Sequence, residues 1–213
     1  MENRKGKLIT FEGPEGGGKT TQISMLSDYL KSQGYSVVLT REPGGTGIGI
    51  SIRNILLDPS FTGICSRAEL LLFLADRAQH VSDVIEPALI QGKIVLCDRY
   101  IDSTIAYQVG GRHFPEDLIT LLNNFSSYEV TPDLTYLLDV DFSIGIKRAT
   151  KVAADRFERE DRDFHERIKR KYLELLEKFP ERIKRLDTTK DHMDSIQMKI
   201  RQIFCEAKIL KNF

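Results

Sequence analysis

The chain has 213 residues, 41% of them hydrophobic and 29% charged, which suffices for one well-buried domain and argues against disorder. Its 31 basic and 31 acidic residues cancel, so neither a nucleic acid nor a membrane surface is expected as a partner. Cys65, Cys97 and Cys205 are odd in number and far apart, which points to neither a disulfide framework nor a zinc site and fits a reducing cytoplasm.

Residues 1–7 are basic, but too few apolar residues follow for a signal peptide, and no run reaches membrane-spanning length. Residues 8–11 are apolar and predict a buried strand, which leads into Gly13-Pro14-Glu15-Gly16-Gly17-Gly18-Lys19-Thr20-Thr21. This stretch fits the phosphate-loop pattern G-x-x-x-x-G-K-[ST]. Glycines let the backbone wrap an anion and turn its N–H groups inward, and the helix that follows points its positive end at the same charge. Lys19 would neutralise the β- and γ-phosphates, and the Thr20 hydroxyl would ligate Mg²⁺.

Helical spacing of Ile23, Leu26 and Leu30 predicts a helix over 19–33, and the β-branched run 35–40 predicts a return strand parallel to the first. A breaker-rich loop from Arg41 to Gly47 then lies where open α/β sheets place their ligands. A short helix is predicted over 48–57. Ser66-Arg67-Ala68-Glu69 reads as a capping box that opens a long helix toward Gly92, bent at Pro87. Phe73 and Arg77 lie one turn apart on it, either as a ligand-facing pair or as a core ring beside a snorkelling arginine.

The run 94–97 predicts a central strand that delivers Asp98 and Arg99 to the ligand edge. A short helix through Tyr107, a surface helix over 115–125 and a fourth strand over 134–140 follow. Beyond a helix over 143–151, residues 152–161 lose apolar periodicity and predict a mobile charged segment. A helix from 162 to about 180, a strand over 182–186 and a last helix over 193–209 complete the chain. The whole reads as one α/β domain over 1–213, a five-stranded parallel sheet between helices in three layers, with a mobile segment at about 150–161.

A phosphate loop is shared by kinases, GTPases, motors and ATP-driven machines. The chain lacks the Asn-Lys-x-Asp that reads guanine, and it carries Arg41, Arg53, Arg77 and Arg99 at ligand-edge positions. Bringing two polyanions together for phosphoryl transfer requires such positive charge. Residues 147–185 add 14 basic against 9 acidic side chains, a net +5 in an otherwise net −5 chain.

The segments Phe11-Glu12-Gly13-Pro14-Glu15-Gly16, Thr40-Arg41-Glu42-Pro43-Gly44-Gly45, Leu72-Phe73-Leu74-Ala75-Asp76-Arg77, Asp98-Arg99-Tyr100-Ile101-Asp102-Ser103, Ala106-Tyr107-Gln108 and Asp155-Arg156-Phe157-Glu158 together closely resemble the bacterial thymidylate kinases. The resemblance implies transfer of the γ-phosphoryl of ATP to dTMP with Mg²⁺ by a homodimer. It gives Glu15 to the sugar 3′-OH and the metal's waters, Phe73 to stacking on thymine, and Arg77 to thymine O4. Arg99 would clamp the acceptor phosphate, with Arg53 and the Arg41 loop closing over that end. Tyr107 would exclude a 2′-OH, and Thr104 and Gln108, with Ser103 as a neighbour, would line the base pocket. Asp98 would join Thr20 at Mg²⁺, or serve as a structural hydrogen-bond partner. The resemblance also makes the charged segment a lid over ATP whose arginine supplies charge that the phosphate loop lacks; no variable position of the loop is basic here, and Arg156 is expected in that role, with Arg148 and Lys151 in reserve. Another nucleotide kinase, or a nucleotide-dependent regulator, is the alternative.

Overall fold

Strands covered by helices on both faces must be apolar throughout, and β1 (Lys7–Glu12), β3 (Ile94–Asp98) and β4 (Leu134–Asp139) are almost wholly buried. The computed structural model describes residues 4–149 and 155–207. Among these, the three strands join β2 (Val37–Arg41) and β5 (Ile183–Asp187) in one parallel sheet ordered β2-β3-β1-β4-β5. The five strands and their parallel pairing agree with the expectation from sequence.

Side chains alternate across the sheet and sort the core into two sides. Ile9, Phe11, Ile94 and Leu96 face α1 (Lys19–Ser32) and α9 (Met193–Glu206), which bring Ile23, Leu26 and Leu30, and Ile196, Ile200 and Phe204. Leu8, Val95 and Cys97 face Val81, Ile85 and Leu89 on the other side. There α3 (Ser66–His80) continues through a π-helical turn, Val81–Ile85, into α4 (Glu86–Ile90). The bend expected at Pro87 is thus a widened turn that ends two residues before Pro87, which lacks an N–H to donate.

The same layer holds α2 (Gly47–Leu57), α5 (Ile101–Thr104), α6 (Glu116–Ser126) and α8 (Arg162–Lys178). A second π-helical stretch, Ile105–Gly111, packs Ile105 and Ala106 against Phe164, Ile168 and Tyr172 of α8. Helix α7 (Phe142–Ala149) follows β4.

The capping box at Ser66 does not form. Ser66 is the first helical residue, Cys65 precedes it without a side-chain cap, and Glu69 is buried instead. Glu69 accepts two hydrogen bonds from Arg112, at 3.0 Å each; a bidentate guanidinium outcompetes a single backbone amide.

Strand order reverses around β1 and β3, so a crevice opens at their carboxyl ends. Asp98 is in register with Phe11 on one side and with Arg41 on the other. The sheet therefore sets Asp98 and Arg41 level with the start of the glycine loop.

Candidate active site

The glycine loop is compelled by its neighbours. Gly13 has φ +123° and Gly16 has φ +71°, and a Cβ there would lie 2.3 Å from the Leu138 carbonyl oxygen and 2.1 Å from that of Gly145. No side chain fits at either position. Lys19 Nζ donates to the carbonyls of Gly13 at 3.1 Å and Pro14 at 2.9 Å, which ties the loop to the first turn of α1. Burial and the nearby Arg99 hold this ammonium below its ordinary pKa, against the opposing pull of Glu15, Asp98 and Glu12. The Thr20 hydroxyl donates to Asp98 Oδ2 at 3.0 Å. Around these groups lies a cavity of about 770 Å³, lined also by Gly16, Gly18, Thr21 and Arg41.

A second cavity, of about 590 Å³, opens beside the first. Its apolar wall is Leu57, Phe73, Tyr107 and Phe157, and its polar groups include Arg77, Ser103, Thr104 and Gln108. Phe73 and Tyr107 each stand 5.8 Å, ring centre to ring centre, from Phe157. Arg77 is buried and does not snorkel. Its Nε donates to Glu42 Oε2 at 2.8 Å, and one Nη donates to Thr104 Oγ1 at 2.8 Å and Asn123 Oδ1 at 2.7 Å.

Four residues line both cavities: Glu15, Glu42, Arg53 and Arg99. Arg99 is held from every side. One Nη pairs with Glu15 and reaches the Tyr107 hydroxyl at 3.3 Å, while the other reaches Ser103 Oγ at 3.1 Å and the Tyr172 hydroxyl at 3.2 Å. Its backbone has φ +67°, a strained conformation for a residue with a Cβ, which occurs mostly where function demands it. Burial disfavours its charge, but Tyr107, Glu15 and Tyr172 raise it well above the ordinary arginine range. Burial likewise works against the Glu15 carboxylate, yet Lys19, Arg99 and Arg53 overcome it and lower the pKa to about 2. Behind Arg99, Glu12 accepts from Tyr100 N at 2.8 Å, from Ser103 Oγ and from the Tyr172 hydroxyl at 3.1 Å. Burial first, then Asp102, pushes Glu12 up to about 7.

The structure thus brings together Glu15, Lys19, Thr20, Asp98, Arg99, Arg53, Phe73, Arg77, Thr104, Tyr107 and Gln108 around two joined cavities. Arg41 lines the phosphate cavity alone. Arg156 is placed elsewhere: its Nε donates to the Leu56 carbonyl at 2.9 Å and an Nη lies 2.7 Å from Glu69 Oε2, outside both cavities. The expected lid is docked in its described part, where Phe157 is buried and Glu160 pairs with Arg112 at 2.6 Å. Lys151 lies outside the described residues, and Arg148 donates to the carbonyls of Thr188 and Thr189. The sequence reading missed Glu12, Glu42 and Tyr172. The first two sit inside recognisable motifs, whereas Tyr172 carried only the signal of an apolar position with a polar tip.

A phosphate loop whose cavity shares its wall with a second, aromatic-lined cavity defines a phosphotransferase that brings a nucleotide donor to a small acceptor. The family model described as thymidylate kinase matches residues 11–200, and the chain belongs to the thymidylate kinase family. It is thereby a nucleoside-monophosphate kinase. It is 48% identical over 197 residues to the thymidylate kinase of Desulfovibrio desulfuricans, covering 89% of this chain and 91% of the relative. To that of Pelobacter propionicus it is 49% identical over 189 residues, covering 85% and 86%. A crystal structure of thymidylate kinase from Ehrlichia chaffeensis superposes with a TM-score of 0.77 at 36% identity, covering 94% of this chain and 98% of that one.

Proposed function

We propose that the chain transfers the γ-phosphoryl group of ATP to dTMP, giving dTDP and ADP. The observation that carries this reading is the shared wall of Glu15, Arg53 and Arg99 between the two cavities. The triphosphate lies on the glycine loop with Lys19 against its terminal phosphates. The acceptor base enters the aromatic cavity between Phe73 and the Arg77–Thr104–Gln108 side, with Tyr107 against its sugar. Its phosphate then meets the γ-phosphate beside Arg99 and Arg53. An ionised phosphate oxygen attacks in line, so no general base is required. The guanidiniums spread the charge of the moving group.

The residues present suit Mg²⁺. Thr20 Oγ1 and Asp98 Oδ2 are oxygen donors 3.0 Å apart on the wall of the phosphate cavity and would hold the ion there. Bound there, the ion would supply positive charge to the phosphates. Arg156 would approach the γ-phosphate only after leaving Glu69, and Arg148 only after leaving the carbonyls of Thr188 and Thr189. In a coupled ADP-release assay, dTMP is expected to be preferred over dCMP and thymidine, and EDTA to abolish turnover until Mg²⁺ is restored. ADP release that ignores the acceptor would instead favour a nucleotide-dependent regulator.

The pairing of two copies rests on the outer face of α6. Leu118, Leu121 and Phe125 recur there at helical spacing, with Leu121 65% and Phe125 82% exposed, and Leu71 on the adjoining α3 is 61% exposed. Such a continuous apolar face is suited to burial against its own copy about a two-fold axis. A Leu121→Glu/Phe125→Glu protein is expected to be monomeric by light scattering under conditions where the parent is a dimer. An unchanged mass would place the interface elsewhere.

A further inference from the structure

Glu69 takes no part in the reaction described above, yet it is almost fully buried beside the acceptor cavity. Three side chains converge on it, Gln108 and Arg112 from one π-helical stretch and its cap and Arg156 from the segment before α8. Arg112 grips both oxygens at 3.0 Å, Arg156 lies 2.7 Å from Oε2, and Gln108 Nε2 donates to Oε1 at 3.2 Å. Of these three, only Gln108 lines the acceptor cavity.

A side-chain amide has two ends of opposite character, and which one faces a ligand decides what that ligand must offer. A carboxylate held between two guanidiniums only accepts, so it selects the nitrogen end of Gln108. Reversing the amide would set its carbonyl against the carboxylate at hydrogen-bond distance, which is repulsive. One N–H of the amide is committed to Glu69, and the carbonyl oxygen takes no hydrogen bond from the described residues, which leaves it as the acceptor for the cavity.

We propose that Glu69 is a positioning residue for base selection: by holding the nitrogen of Gln108 it presents the Gln108 carbonyl to the acceptor, so that the site accepts a ring N–H and rejects a bare ring nitrogen. This rests on the reading of the second cavity as the dTMP site. Thymine and uracil carry N–H at ring position 3, whereas cytosine carries a lone pair there. A cytosine nucleotide therefore meets the Gln108 oxygen as acceptor against acceptor, an unpaired contact that a buried site penalises heavily.

The test compares kcat and KM for dTMP and dCMP in the full-length protein. In Glu69→Gln a single oxygen remains, for which two guanidiniums compete, and Gln108 loses its fixed partner. The dTMP-over-dCMP ratio in kcat/KM is expected to fall about 10- to 100-fold, mainly through a raised KM for dTMP with kcat nearly kept. Glu69→Asp keeps the charge against Arg112 and Arg156 while withdrawing it from Gln108, so it carries the same test should Glu69→Gln fail to fold. Gln108→Leu leaves Glu69 and both arginines in place and should show a similar fall, to which Glu69→Gln adds nothing. Arg112→Met, which removes a partner of Glu69 but not the Gln108 contact, should keep the ratio. An unchanged ratio in a folded Glu69 variant or in Gln108→Leu, or an equal fall in Arg112→Met, overturns the proposal. A parent protein without preference for dTMP overturns the reading of the cavity instead.

Discussion

The Arg99→Ala protein is expected to keep its fold and to lose about 10²- to 10³-fold in kcat, the range seen when a preorganised charge-stabilising donor is removed. The fold should survive because the groups behind Arg99 hold one another without it: Ser103, Tyr172 and Glu12 form their own hydrogen bonds. Alanine at this position must still adopt φ near +67°, so the substitution removes the guanidinium without relieving the backbone. Two losses then coincide. The acceptor phosphate loses its donor fork, and Glu15 loses the partner that fixes it between the cavities. Arg99→Lys should recover little, because an ammonium cannot reach Ser103, Tyr172, Tyr107 and Glu15 with the geometry of a planar fork. Single-turnover measurement of ADP formation with saturating dTMP separates this loss from binding. Turnover equal to the parent would remove Arg99 from the reaction.

Local chemistry made some of this site legible and distance hid the rest. The phosphate loop declares itself because its demands are met within nine residues: glycines where a Cβ would strike Leu138 or Gly145, then a lysine and a threonine opening a helix. The parallel sheet follows from short apolar runs separated by helical spacing. By contrast, Tyr172 meets Glu12 across 160 positions and Arg77 meets Asn123 across 46. Nothing in a single sequence announces such pairs. Glu69 shows how a local rule misleads: three residues after a serine it matches a capping box, but Arg112, 43 positions on, claims it in the folded chain. Arg156, which the resemblance gave to the γ-phosphate, lies in the folded segment against a buried carboxylate and a carbonyl at the end of α2, contacts no single sequence announces.

Replacing Arg77 by methionine is expected to destabilise the protein by about 3–5 kcal/mol, because a buried ion pair that loses one partner leaves the other charge uncompensated. The pair is deeply enclosed, with side-chain exposures of 3% for Arg77 and 4% for Glu42. Methionine retains the apolar stem as far as the place of Nε, so what is lost is the guanidinium with its charge and hydrogen bonds. Glu42 would keep only the Nδ1–H of His80, at 2.9 Å, and the Thr104 hydroxyl and the Asn123 carbonyl would lose a donor each. At this chain length such a loss should lower Tm by roughly 6–20 °C, measured by calorimetry without nucleotide. The same substitution should raise KM for dTMP, since the cavity wall shared with Thr104 and Gln108 would lose its positive charge. The two effects have separate origins and can be parted. Glu42→Gln removes the buried charge but leaves the guanidinium on the cavity wall, so it should cost stability while raising KM less than Arg77→Met does. An unchanged Tm in Arg77→Met would mean that Arg77 is not the cation that stabilises the buried Glu42, and that its place in the cavity serves the acceptor alone.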